Sequence, residues 1–307
     1  MWIPYFLLEF WEHETPLETV TASKSDEEER HFEVWFLLEN PPTREREVEL
    51  KLSNPIYKTQ TDGAGRAASM QFLPNSNGQL EAVAFKVRDH SAKLAFRYCY
   101  DRLCQLLSFW ALVTGSGFSV FGLRIVDVKH NTRWKVLPQR AAADPFVLPQ
   151  GIDLPEEHAA IVSLYREGRN AQSPFYRFLC CYKILEAWYK SGGIFAQADR
   201  LIREKGLPLS RPRRRITHDT LVLSLVFNAH PEFENVTFVQ FFDLLNPWRL
   251  KVAHAVTDEG TFVNFDRYEA QTDLGPIANL TDMVARQILL DEFDLWGQIN
   301  EAITPRH

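Results

Sequence analysis

The sequence predicts an α+β protein: a mostly antiparallel β domain with one long helix, followed by a helical bundle. Three observations carry this. Period-two alternation and turn chemistry recur through the first 140 residues. One long run of helical spacing, which Ser91 can cap, interrupts them. Beyond Pro155 the strand signals give way to amphipathic and apolar helices with recognisable caps. The domain boundaries that follow are 1–140 for the β-rich part, 141–154 for a linker and 155–307 for the helical part.

The strand signals begin with the apolar stretch Trp2–Trp11. It lacks a basic leader and a small-residue cleavage site, so it reads as a strand and not as a secretion signal. Thr21–Arg30, ending in Glu27-Glu28-Glu29-Arg30, reads as a solvated loop. Phe32–Leu38 is a strand that Asn40-Pro41-Pro42 stops. Val48, Leu50 and Leu52 alternate with charged residues, a half-buried strand. Asp62-Gly63-Ala64-Gly65 is a turn that lacks the following lysine and helix of a phosphate loop. Met70–Leu73 and Leu80–Val87 form a hairpin pair around Pro74–Gly78.

Ser91–Val113 is the long helix, with Leu94, Tyr98, Leu103, Leu106 and Trp110 as its expected sheet-facing side chains. Leu103–Leu123 is uncharged and long enough to span a bilayer. Its internal Ser, Thr, Gln and Gly residues instead mark a buried helix end, a Gly-Ser turn and a core strand. Phe118–Val128 is that strand, with Trp134–Leu137 as its hairpin partner. Arg140–Asp153, with Ala141-Ala142-Ala143, Asp144-Pro145, Pro149 and Gly151, has the composition of a domain boundary.

In the second half, Glu156–Gly168 opens on acidic residues, which helix N-termini favour. Ser173-Pro174 caps a nearly all-apolar helix through Tyr189 that ends at Gly192-Gly193. This is the expected core helix, and Glu186 on it is the expected buried acid, a hydrogen-bonded core glutamate. Short helices follow at Phe195–Lys205, Asp219–Phe227 and Thr237–Leu245. Asn246-Pro247 restarts the chain as a further helix, Asn as cap and Pro at the first position. Asp273-Leu274-Gly275-Pro276 opens the last helix, Ile277–Ile299. Ile277, Leu280, Val284, Ile288, Asp291 and Leu295 mark its apolar stripe, with Asn279, Asp282 and Arg286 off it.

Composition narrows the function. The 307 residues are 45% hydrophobic and 24% charged, ordinary for a soluble protein with a sizeable core. A net charge of −6 gives no global attraction to nucleic acid. Cys99, Cys104, Cys180 and Cys181 form no Cys-x-x-Cys pair and read as buried free thiols of a reducing compartment. No metal cluster and no cofactor motif is found, and a cytoplasmic location without membrane contact is expected.

Two stretches hold chemistry-bearing residues. Arg211-Pro212-Arg213-Arg214-Arg215 is the dense basic run. No aromatic residue interleaves it for base stacking, so a solvated loop or one paired with acids of the same chain is the favoured reading. Asn246–Ala255 contains Arg249, Lys251 and His254. Arg249 and His254 are five positions apart, about 140° around an ideal helix, so their convergence needs a distorted helix end or a second copy.

The Arg-x4-His pair late in a helical domain resembles the HEPN superfamily. That resemblance implies metal-independent RNA cleavage, with Arg249 stabilising a phosphate and His254 assisting proton transfer, usually at a dimer interface. Lys251, Arg213, Arg214 and Arg215 would then contact phosphates. Active members often carry a polar residue after the arginine, and this chain has Leu250.

Three segments together, Ser173–Phe178, Pro247–His254 and Asn279–Arg286, behind a β-rich first half, resemble the bacterial methylamine-utilisation protein family MauJ. The family takes its name from linkage to methylamine dehydrogenase genes. The resemblance implies a cytoplasmic accessory protein, not itself a redox enzyme, acting through a protein partner or as a homodimer through its helical domain. The alternative is the HEPN-type ribonuclease, for which RNA is the partner. A third reading is a ligand sensor with a pocket around Trp188 and Trp248.

Overall fold

In the computed structural model, the residues described are 12–13, 15–39, 56–61, 67–76, 78, 80–114, 117–136, 156–171, 173–190, 196–224, 226, 229–253 and 264–303. The chain forms two compact units. The first comprises Met1–Pro145 with Phe265–Thr272, and the second Phe146–Asn264 with Asp273–His307. The expected strands at 2–11 and 48–52, the turn at 62–65, the linker, Gly192-Gly193 and His254 lie outside the described residues.

The first unit is an antiparallel sheet with helical cover. Its strands are β1 (Glu12–His13), β2 (Arg30–Glu39), β3 (Ile56–Thr61), β4 (Ala67–Pro74), β5 (Leu80–Asp89), β6 (Ser119–Asp127) and β7 (Thr132–Val136). They lie in the order β1-β7-β6-β2-β5-β4-β3. The central strand β2 pairs with β5 and β6 on its two sides, and β6 and β7 form the expected hairpin. Phe32, Val34, Phe36 and Leu38 alternate with half-buried residues on β2, and Ala68, Met70 and Phe72 do so on β4. That is the period-two pattern of a sheet with one face on a core.

Helix α2 (Ala92–Thr114) covers that face. Its buried stripe is Ala92, Ala95, Phe96, Cys99, Tyr100, Leu103, Cys104 and Leu107, spaced three and four apart along the helix. Of the expected residues, Leu103 is fully buried, Tyr98, Leu106 and Trp110 pack partly buried against the same core, and Leu94 is 44% exposed. Large residues drew the expectation. The helix instead presents Ala95 and Cys99, whose small side chains allow close approach to the sheet.

The segment expected to be a solvated loop is partly helix α1 (Leu17–Ser25). Its amphipathicity is weak, so tertiary bonds hold it. Thr132 Oγ1 donates to the Thr19 carbonyl at 3.1 Å, and Ser23 Oγ to Asp127 Oδ2 at 2.5 Å. Arg30 completes the knot. Its Nε bonds Asp127 Oδ2 at 2.8 Å. Its other nitrogens donate to the carbonyls of Ser23, Asp26, Glu28 and His90. Asp127 also accepts from the backbone N–H of Lys129 and His130. Arg30 and Asp127 are both buried, so the cost of desolvating two charges is met by a nearly complete set of bonds.

The second unit holds α3 (Glu156–Asn170), α4 (Pro174–Tyr189), α5 (Ala196–Glu204), α6 (His218–Leu223), α7 (Phe238–Leu244), α8 (Asn246–Ala253) and most of α9 (Tyr268–Ile303). α4 is the core helix as expected, burying Phe175, Phe178, Cys181, Tyr182, Ile184 and Leu185. Ile161 of α3, Cys181 and Ile184 of α4, and Ala285 and Leu289 of α9 share one cluster.

The last helix starts nine residues before the expected Ile277, and Pro276 lies inside it. The missing cap is supplied across the sequence. Asp101 of α2 accepts the Tyr268 N–H at 2.7 Å, and the Tyr268 ring meets Phe96 edge-on at 5.4 Å. A local search for caps cannot see a carboxylate 167 positions away. Pro276 has no N–H to donate to the Thr272 carbonyl, and Thr272 is the residue at which the first unit ends.

Asp127→Ala leaves the buried Arg30 guanidinium without its counter-charge. Loss of about 3–5 kcal/mol of unfolding free energy is expected in urea titration, against less than about 0.5 kcal/mol for Val128→Ala on the exposed neighbouring residue. Equal effects of the two substitutions would show that the network contributes no stability.

Candidate functional site

The second unit carries a half-open cavity of about 510 Å³ between the end of α4, the loop after α5, the start of α7 and the middle of α9. α4 contributes Trp188 and Tyr189 from its last turn. The loop begins where Gly206, at φ +60°, lets the Leu207 N–H return to the Ile202 carbonyl at 2.9 Å and close α5. It then runs extended through Arg211–Arg214. Ile216 and Asn235 exchange bonds across to Val236 and Ile216, and the Phe238 N–H reaches the Arg214 carbonyl. These bonds pin the loop to α7, whose N-terminus carries a capping box of Thr237 and Gln240.

Two arginines of the loop are committed to α9. Arg211 makes a two-point bond to Glu292, at 2.9 and 3.2 Å, and also bonds Asp199. Its guanidinium lies 5.2 Å from the centre of the Trp188 ring, a cation–π contact. Glu292, 1% exposed, further accepts from Trp296 Nε1 at 3.1 Å, and His158 Nε2 sits 3.7 Å from it. Arg214 makes a second two-point bond, to Asp291 at 2.8 and 2.9 Å, and Gln287 donates to the same carboxylate. Paired forks of this kind are the strongest hydrogen-bonded ion pairs available to side chains. Arg215 donates to the Asn235 carbonyl at 2.7 Å. Arg213 is exposed, lines the cavity, and makes no hydrogen bond or ion pair with a described residue.

The other expected site residues lie elsewhere. Arg249 is half-buried on α8, with its backbone N–H on the Leu245 carbonyl. Lys251 approaches Asp273 at 3.8 Å and the Trp248 ring at 5.5 Å. Neither lines the cavity, and His254 is outside the described residues. Glu186 is not the buried acid: its side chain is 32% exposed and pairs with Lys190 one turn on, a surface pair of small energetic weight. Among the described residues of the second unit, the buried acids are Asp282, Asp291 and Glu292. Asp282, expected off the apolar stripe, is covered because Arg169 of α3 bonds it at 2.7 Å. Asp291 carried a legible signal: an acid on an apolar stripe requires a cationic partner.

All four cysteines are free and buried. Burial pushes the Cys104 thiol up to about 12, and raises those of Cys180 and Cys181, the latter helped by the nearby Asp282 carboxylate. The thiolate, the reactive form, is therefore suppressed. A disulfide reagent at about pH 8 is expected to release no product from native protein over minutes, and four equivalents once guanidinium unfolds it. Rapid release from the native chain would contradict this burial.

The architecture defines an α+β protein in which an antiparallel sheet unit precedes a helical unit with an arginine-framed cavity. Comparison with known proteins gives the family. A family model described as methylamine utilization protein MauJ, N-terminal domain, matches residues 5–136, and one described as methylamine utilization protein MauJ matches 161–290. The chain belongs to the MauJ family. It is 26% identical to the methylamine utilization protein MauJ of Methylorubrum extorquens over 95% of this chain and 96% of that one. It is 28% identical to the Paracoccus versutus protein of the same name over 95% and 94%, and 25% identical to that of Paracoccus denitrificans over 94% of each. No solved structure matches. Among the described residues no helix is long and apolar enough to cross a membrane.

Proposed function

We propose that this chain serves methylamine utilisation as a cytoplasmic accessory protein that acts by binding and is not itself the redox enzyme. The observation that carries the reading is the commitment of its chemistry-bearing groups to structure. Arg211 and Arg214 are held in two-point bonds to Glu292 and Asp291, and the buried thiols of Cys104, Cys180 and Cys181 are held protonated. What remains presented is surface and an aromatic-lined cavity. The MauJ matches on both halves supply the process, and free thiols suit a reducing cytoplasm. The binding partner is a protein or a second copy, engaged through the helical unit.

The runner-up is a metal-independent ribonuclease on a HEPN-like helical unit. It rests on Arg249, half-buried without an ion pair to a described residue, with Lys251 two positions on. It draws less support because Arg214 and Arg215 are already bonded within the chain, leaving Arg213 as the loop's uncommitted cation. A negatively charged chain with one such cation in the loop gains little from counterion release.

One genetic experiment separates the two. Deleting the gene in its host is expected to slow growth on methylamine as nitrogen source several-fold and to leave growth on ammonium unchanged. A plasmid copy carrying Arg249→Ala and His254→Ala restores growth as well as the parent copy does if the protein works by binding. Failure of that variant, with the parent cleaving RNA in EDTA and the variant inert, establishes the ribonuclease instead. Absence of any methylamine-specific defect overturns the accessory reading.

A further inference from the structure

The cavity framed by Arg211, Arg213 and Arg214 has the size of a small-molecule site, about 510 Å³. Its chemistry selects the ligand. Trp188, Phe238, Val239 and Ile288 give it apolar walls. Asp291, the one carboxylate among its lining residues, is consumed by the two-point bond from Arg214 and a bond from Gln287. Arg211 is neutralised by Glu292 and Asp199, neither of which lines the cavity. Three guanidiniums thus face a space in which two are already matched. Arg213, with no ion pair to a described residue, contributes the surplus positive charge.

Two further features refine this. The Arg211 guanidinium lies over the Trp188 ring, so an aromatic side chain and a weakly hydrated planar cation, both of which favour planar aromatic neighbours, line the same cavity. Tyr189 lines the cavity, and burial together with the Asp291 carboxylate pushes its phenol well above its ordinary value. It therefore remains a neutral O–H donor across the physiological range. Its hydroxyl makes no hydrogen bond with a described residue. An anionic group between Arg213 and Tyr189 would receive a charged and a neutral donor, while a cationic ligand would meet three guanidiniums.

We propose that this cavity is a binding site for a small aromatic carboxylate, held by Arg213 at its anionic end and by the apolar walls around its ring. The assignment goes beyond the accessory role and does not depend on it. One surplus charge beside an apolar wall suits a single monoanion, and not a polyanionic strand, whose affinity requires several free cations.

The test is calorimetric titration of the full chain with 2-naphthoate, phenylacetate and indole-3-acetate, with 2-naphthylmethylamine as a cation of matching body. At least one carboxylate is expected to bind about tenfold or more tightly than the amine. Arg213→Ala, at an exposed side chain, removes one charge-assisted bond and is expected to weaken binding about tenfold with an unchanged unfolding temperature. Val239→Trp, which adds bulk to the wall at a residue 47% exposed, is expected to abolish binding. No heat from any carboxylate at millimolar concentration overturns the proposal, as does equal binding of the amine. Binding that survives Val239→Trp, or that Arg213→Ala leaves unchanged, overturns it as well.

Discussion

The helical unit depends on the two-point bond between Arg211 and Glu292. Glu292 is almost wholly buried on α9, and an ionised carboxylate in that position is tolerable only with a cation and further donors around it. Arg211 supplies the cation, and Trp296 supplies a donor from the next turn of the same helix. The consequence is geometric. A proline-containing loop with four arginines, which would otherwise be solvated and mobile, is drawn onto α9 at Glu292 and at Asp291. The space left between that loop and the aromatic end of α4 is the cavity. Packing, charge pairing and the candidate site are therefore one arrangement, in which the acids on α9 determine where the cations of the loop can be.

The sheet unit solves a similar problem differently. Arg30 and Asp127 are buried at the ends of β2 and β6, and they hold a helix whose own sequence would not hold it. Serine, carbonyl and backbone N–H groups complete the set of bonds. In both units a buried ion pair fixes an element of low intrinsic propensity, a use of charge that specifies arrangement more than it adds stability.

These features bear on how much was legible in the sequence. The division into a sheet-rich first half and a helical second half was legible, because alternation and helical spacing are local. So were α4, its Ser173-Pro174 start, and the β6–β7 hairpin. The family resemblance was legible from three short segments. The misses share a cause. α1 is fixed by Arg30 and Thr132, the start of α9 by Asp101, and the sheet-facing stripe of α2 by the fit of Ala95 and Cys99 against strands far away in sequence. Of the site, the basic run and its pairing with acids of the same chain were favoured from composition. Which acids was not: Glu186 drew attention because it lies on the most apolar helix, while Asp291 stood on a stripe already read as core and its neighbour Glu292 was not singled out. The cavity itself has no linear signature, since it joins residues from 188 to 291.

The most direct test of this account is a double-mutant cycle on Arg211→Met and Glu292→Leu, read by urea unfolding. If the pair organises the loop against α9, each single substitution strands a charge and the double variant relieves it. The coupling is then about 1–3 kcal/mol, with the double variant more stable than the sum of the singles predicts. Additive losses, within about 0.3–0.5 kcal/mol, would mean that the two side chains do not act as a unit, and that the loop is held in place by something else.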